Sequence, residues 1–297
     1  SLPFPPTGAQ QRVLAEIAAD LSAPQAMGRL VQGDVGCGKT ALAFGAMFLA
    51  ARAGYQSALM APTEILARQH LESARKTLEP LGIRCGLLLG GMKAKDRREA
   101  LEQIASGGWQ AVIGTHALIS EGVQYQHLGL VVTDEQHRFG VRQRRMLSLK
   151  AAEAPNELVL SATPIPRSLA LVLYGDLDLS VVDELPPGRT PVKTRIVPEE
   201  KRDGLYDFIR REAAAGRQTY IVCPLVEESE QIDARSAQEM YAELCTGPLA
   251  DLRLGLTYGE QDAAEKAAVI DAFSAGQLDV LVATTVIEVG VNVPSAT

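Results

Sequence analysis

The segment Gly33-Asp34-Val35-Gly36-Cys37-Gly38-Lys39-Thr40 fits the spacing G-x-x-x-x-G-K-[ST]. Its glycines let successive backbone N–H groups turn inward and cradle phosphate oxygens. Lys39 at this spacing reaches β- and γ-phosphates, and Thr40 offers a hydroxyl to Mg²⁺. An apolar run, Gly28–Gln32, precedes the loop and a helical pattern follows it, which is the context a nucleoside triphosphate site requires. A glycine-rich turn with a chance lysine would have no such flanks.

Further along, Asp134-Glu135-Gln136-His137 closes the apolar run Leu128–Thr133. A carboxylate at the carboxyl end of a parallel strand sits beside a phosphate loop. There Asp134 can hold Mg²⁺, directly or through water, and Glu135 can orient and deprotonate an attacking water. Small-molecule P-loop kinases often lack such a base, because their acceptor is the substrate, so the pair favours hydrolysis. Ser161-Ala162-Thr163 ends another apolar run. Its hydroxyls could relay hydrogen bonds between the hydrolysis site and a neighbouring one, or simply cap a helix with Pro164 in its first turn.

These residues need strands to carry them. Short apolar runs at Gly28–Gln32, Ser57–Ala61, Cys85–Leu89, Ala111–Gly114, Gly129–Thr133 and Glu157–Leu160 alternate with helical patterns at Thr40–Arg52, Glu64–Glu79 and Asp96–Ala105. That rhythm predicts an α/β fold with a parallel sheet. The stretch Glu184–Pro191 holds three prolines and a glycine and reads as a linker. A second alternation follows: strands at Lys193–Val197, Thr219–Cys223, Leu252–Leu256 and Val280–Val282, and helices at Lys201–Ala214, Ser236–Leu244 and Ala263–Phe273. The expectation is two tandem P-loop-type domains, residues 1–189 and 190–297, with mainly parallel sheets and the second cut short. No sequence repeat between them stands out.

Totals add limits. The hydrophobic content of 46% suits a buried core, and no apolar run reaches membrane-spanning length. The first twenty residues lack a basic segment followed by an apolar one, so no secretory signal is read. Cys37, Cys85, Cys223 and Cys245 share no metal-ligand spacing and read as reduced thiols. Residues 1–180 hold 18 Lys/Arg and 16 Asp/Glu, residues 181–297 hold 11 and 20, giving the net charge of -7. Composition therefore does not by itself name a polyanionic partner; a local basic groove would have to do so.

Gly33–Thr40, Asp134–His137 and Ser161–Thr163 resemble motifs I, II and III of superfamily 2 helicases. Longer strings narrow the likeness: Asp134-Glu135-Gln136-His137-Arg138-Phe139-Gly140, Ser161-Ala162-Thr163-Pro164-Ile165-Pro166-Arg167, and Tyr174–Asp178 followed by Asp183–Arg189. Together they resemble the bacterial RecG-type branch-migration helicases along nearly the whole chain. The transcription-repair coupling translocases are the nearest relatives. An RNA helicase and a non-motor P-loop NTPase or small-molecule kinase are the alternatives.

The resemblance implies two RecA-like domains with ATP and Mg²⁺ between them. It implies translocation on branched duplex DNA, regressing stalled forks and migrating Holliday junctions. It further implies a monomer, cytoplasmic and nucleoid-associated in a bacterium, with no membrane partner and with single-stranded DNA-binding protein as a further partner. Residue by residue, Phe4 and Gln10 fall in the adenine-reading segment. Pro62, Thr63 and Arg68 resemble motif Ia, and Gly114, Thr115 and His116 motif Ib; both would grip phosphates without reading bases. Gln136 and His137 would couple the nucleotide to the DNA track. Ala283–Pro294 resembles motif V, with Thr284 and Thr285 toward DNA and Gly290 and Asn292 toward the nucleotide. Asn292 stands where the family usually has Asp, and Tyr258 where it has His. The arginine-rich motif VI, the wedge domain and the helical hairpin of the family are not in the sequence. The expectation is therefore ATP binding with poor hydrolysis by these residues alone.

Overall fold

Seven strands form one all-parallel sheet in the order β3-β4-β2-β5-β6-β1-β7. They are β1 Gly28–Gly33, β2 Gln56–Met60, β3 Cys85–Leu88, β4 Ala111–Gly114, β5 Leu128–Asp134, β6 Asn156–Ser161 and β7 Asp178–Val182. The helices α1 Gly8–Leu21, α2 Lys39–Arg52, α3 Glu64–Leu78 and α4 Ala94–Ala105 accompany them. The structure is a computed structural model. It describes residues 5–134, 147, 150, 154–162, 177–185, 193–223, 230–259, 261–284 and 296, with backbone alone at 230–235, 263 and 264. The chain divides into two compact units, Ser1–Thr190 and Pro191–Thr297.

β2 is buried at every position, because strands flank it on both sides and helices cover it. Ala58 and Met60 of β2 share a cluster with Leu88, Val112 and Val131, into which α4 inserts Ala100 and Ile104. Burying a side chain such as Ile104 contributes about 2 kcal/mol. At the amino end of β2 the register with β5 shifts between Gln56 and Ser57. The buried Gln56 carboxamide fills the gap. Its Nε2 donates to the carbonyls of Ile104 (3.0 Å) and Trp109 (2.8 Å), and its Oε1 accepts from the backbone of Gln126 (2.8 Å) and His127 (3.1 Å). At the same end of β1, Arg29 donates to Asp20 at 2.6 Å and to Ser180 at 2.7 Å, tying α1, β1 and β7 together.

The second unit has a parallel three-stranded sheet, β8-β10-β9, with β8 Thr219–Cys223, β9 Leu254–Thr257 and β10 Val280–Thr284. Its helices run Arg202–Ala214, Glu230–Thr246 and Ala263–Ser274. The strand expected at Lys193–Val197 is not formed: these residues pair with nothing among the described residues, and Ile196 is 97% exposed. Two elements were not foreseen, α1 and the edge strand β7.

Candidate nucleotide and phosphate site

β1 ends at Gly33 and α2 begins at Lys39, so the glycine loop is the strand-to-helix turn itself. Gly36 and Gly38 have φ of 77° and 93°, left-handed values that an L side chain resists. A Cβ on Gly38 would also lie 2.2 Å from Nε2 of Gln10. The helix start carries no side-chain cap, which leaves its first N–H groups for an anion. Lys39 is buried, and its ammonium donates to the carbonyls of Gly33 (2.7 Å) and Asp34 (3.1 Å). Asp34 Oδ1 accepts from the backbone of Val35 at 2.8 Å, and Val35 forms the exposed tip. Cys37 is buried beneath the loop, and burial pushes its thiol pKa up, so it stays neutral there.

Gln10 has a part in this loop that the sequence did not suggest. Thr7 and Gln10 form a capping box at the start of α1, with Gln10 Oε1 accepting from Thr7 N at 3.0 Å. Its Nε2 donates to the Cys37 carbonyl at 2.7 Å. The carboxamide expected to pair with adenine is thus engaged as a strut between α1 and the phosphate loop. Phe4 lies outside the described residues.

Because the sheet is parallel, the carboxyl ends of β4, β2, β5, β6 and β1 lie along one edge, in that order. Asp134, the last residue of β5, is two strand positions from β1, roughly 10 Å at ordinary strand spacing. It is 9% exposed, and His70 Nε2 stands 2.7 Å from its Oδ2. His70 was missed in the sequence. It sits on the buried stripe of α3 with Ala67, Leu71 and Ala74, and a histidine at such a position must find a polar partner. Ser161 ends β6 and is buried. Glu135, Gln136, His137 and Thr163 lie outside the described residues.

Further along the edge, Pro62 and Thr63 follow β2, and Gly114, Thr115 and His116 close β4 or follow it. Thr63 caps α3, its hydroxyl accepting from Leu66 N at 3.3 Å, and Arg68 stands exposed on that helix. A Cβ on Gly114 would meet the Leu88 carbonyl at 2.2 Å. His116 is exposed, whereas Thr115 is buried with no hydrogen-bond partner for its hydroxyl among the described residues. Thr284 ends β10 in the same condition. Thr285, Gly290 and Asn292 lie outside the described residues. Tyr258 is half-buried, its N–H donating to Gln261 at 3.3 Å.

Among the described residues no three His, Cys, Asp or Glu gather as a metal cluster. One hydroxyl at Thr40 and one carboxylate at Asp134 form a sparse, hard oxygen set. That fits Mg²⁺ held largely by substrate phosphates and water rather than by a protein cage. No helix among the described residues is long and apolar enough to cross a membrane.

Residues 7–172 match the family described as DEAD/DEAH box helicase, and residues 200–297 match the helicase conserved C-terminal domain. The ATP-dependent DNA helicase RecG of Acidithiobacillus ferridurans is 52% identical over 295 residues, and that of Bacillus subtilis (strain 168) 48% identical over 297. These alignments cover 99% and 100% of this chain and 43% of each relative. A solved structure of RecG bound to a three-way DNA junction matches 99% of this chain and 38% of its own, with TM-score 0.81 and 42% identity. Saccharomyces cerevisiae Dbp5 bound to RNA and ADP BeF3 matches 98% of this chain and 73% of its own at TM-score 0.68 and 18% identity, a likeness of fold alone. The two parallel α/β units are RecA-like helicase domains.

Proposed function

Since the chain belongs to the DEAD/DEAH-box helicase family and is similar to the RecG helicases along its length, we propose that it is the ATP-driven motor segment of a DNA translocase acting on branched duplexes. The observation that carries this reading is the shared carboxyl edge of the first sheet. One end of it bears the phosphate loop, the middle bears Asp134, and the other end bears Thr63, Arg68 and His116. β4 lies four strand positions from β1, so the two ends are roughly 20 Å apart.

In this reading the β- and γ-phosphates take the Lys39 ammonium from the carbonyls of Gly33 and Asp34. The exchange is favourable because a charged acceptor replaces neutral ones. Thr40 and Asp134 hold Mg²⁺, which when bound supplies positive charge to the phosphates. Glu135 deprotonates the attacking water. Gln136 and His137 pass the change to the DNA side. Pro62, Thr63, Arg68, Gly114, Thr115 and His116 grip one backbone stretch. Thr284 and Thr285 grip another, and Gly290 and Asn292 meet the nucleotide. Thr115 directly follows β4 and Thr284 ends β10, both at carboxyl ends of parallel strands, which supports this assignment.

The RecG structure on a three-way DNA junction supports a branched duplex as the substrate; within that class we assign forks and Holliday junctions, with regression and branch migration as the outcome. The domain reading, residues 1–189 for nucleotide and first grip and 190–297 for the second, follows the same division. Because poor hydrolysis is expected of these residues alone, the proposal is tested by the affinity of a slowly hydrolysed ATP analogue measured with a three-way DNA junction, a linear duplex and single-stranded RNA. The junction is expected to tighten it most. A stronger effect of RNA would make the chain an RNA helicase, and indifference to all three would make it a non-motor NTPase.

A further inference from the structure

His70 belongs to none of the motifs read from the sequence, yet it pairs with Asp134, which opens one of them. The two members of the pair come from different elements: His70 from the second turn of α3, Asp134 from the last position of β5. Both are buried, at 8% and 9% exposure, and Nε2 of His70 is 2.7 Å from Oδ2 of Asp134. An ionised carboxylate only accepts hydrogen bonds, so the imidazole is the donor, through Nε2–H. Such a bond fixes which carboxylate oxygen faces the helix. The other, Oδ1, is left for a second partner. β2 and β5 are neighbours in register, Met60 against Thr133, so the helix that follows β2 is carried directly to the end of β5.

We propose that His70 is a positioning residue for the cation carboxylate: it clamps Oδ2 of Asp134 so that Oδ1 is presented, already oriented, to Mg²⁺. The inference rests on the reading of Asp134 as the carboxylate that holds the cation. Orientation matters because Mg²⁺ demands near-ideal octahedral geometry and tolerates a swinging ligand poorly. A partner hydrogen-bonded behind a ligand typically changes metal affinity 10–100-fold when removed. His70 does not touch nucleotide or DNA in this role. It acts only through Asp134.

The test reads binding rather than turnover. Fluorescent ATP-analogue binding to the full chain is titrated with Mg²⁺, and separately measured in EDTA. His70→Phe keeps the ring and removes the donor. It is expected to raise the half-saturating Mg²⁺ about tenfold or more while leaving the affinity in EDTA unchanged. His70→Gln, whose amide Nε2 can donate from nearly the same place, is expected to restore most of the loss. If His70→Phe fails to fold, His70→Met serves as the donor-free variant, since an unbranched thioether adapts to an irregular gap. An unchanged Mg²⁺ requirement in the donor-free variant overturns the proposal. So does an equal rise in the donor-free and Gln variants, which would mean that the ring only packs. Asp134→Asn separates the two readings. If it raises the Mg²⁺ requirement and the donor-free variant does not, only the role of His70 fails. If it too leaves the requirement unchanged, the assignment of Asp134 fails, and this inference with it.

Discussion

The segment β3–α4–β4 of the first unit and the segment β9–Ala263–Ser274–β10 of the second are the same structure at a spacing of 169 residues. Cys85 maps to Leu254, Ala94 to Ala263 and Ala111 to Val280, each the first residue of its element. The small fittings repeat as well. Gly107 and Gly276 turn the chain after the helix at φ of 68° and 72°. A Cβ on Gly86 would strike Trp109, and one on Gly255 would strike Leu278. Gln56 and Gln218, each just before or at the start of the neighbouring strand, donate to the carbonyls of Ile104 and Trp109 in one copy and of Phe273 and Leu278 in the other. Even the hydroxyls without a hydrogen-bond partner among the described residues correspond, Thr115 to Thr284. What differs is chemistry. The phosphate loop, Asp134 and His70 lie outside the repeated segment and occur in the first unit alone among the described residues. The repeat therefore supplies scaffold and a matching strand-end threonine, while the residues proposed for phosphate and cation lie outside it.

The sharpest break in that symmetry is Lys39→Ala. Removing the ammonium from the phosphate loop is expected to weaken ATP-analogue binding by at least about tenfold, and no single lysine of the second unit should match it. Next come the two glutamines. Gln56→Leu leaves two carbonyls and two N–H groups without their partner, and unsatisfied buried groups cost about 1–3 kcal/mol each before relaxation. A net loss of roughly 3 kcal/mol is expected. Hydrogen exchange should report it at 104–111, and Gln218→Leu should instead expose 273–280. If either lesion loosens both segments equally, the copies are not independent.

The smallest effect separates the copies by pH. The backbone N–H of Arg84 is held by neutral Gln110 at 2.9 Å, and that of Arg253 by charged Asp279 at 2.9 Å. Arg253's guanidinium bonds to Asp279 and holds its carboxyl below the ordinary range. A depressed carboxylate pKa gives stability that is present above the unfolded value and lost as pH falls through the folded one. Acid should thus weaken the second copy, in the region below the usual carboxylate value, and spare the first. The pair is largely open to solvent on the arginine side, so the effect is expected to be the smallest of the three. Unfolding of Asp279→Asn should lose this acid dependence.

Much of this was readable in the residues, and the failures have physical causes. Interior strands such as Ser57–Ala61 announced themselves because a strand buried on both faces is a continuous apolar run. β7 did not, because an edge strand exposed on alternate residues blends with a loop. Lys193–Val197 misled through its β-branched residues, which found no strand to pair with. α1 is legible through Thr7 and Gln10 at capping-box spacing and Ala9, Val13 and Ile17 on one face. The repeat stayed hidden because it preserves glycine turns and carbonyl-binding glutamines rather than a run of identical residues. His70 could be seen only as a polar residue in an apolar stripe. Its partner needed the fold.

Nucleotide and DNA phosphates held along one sheet edge, as proposed, influence each other. The direct measurement is the affinity of a fluorescent, slowly hydrolysed ATP analogue with and without a saturating three-way DNA junction. Coupled sites should shift it by roughly 5–150-fold, and the analogue should shift DNA affinity by the same factor, because coupling is reciprocal. Affinities that do not change in either direction would contradict the account.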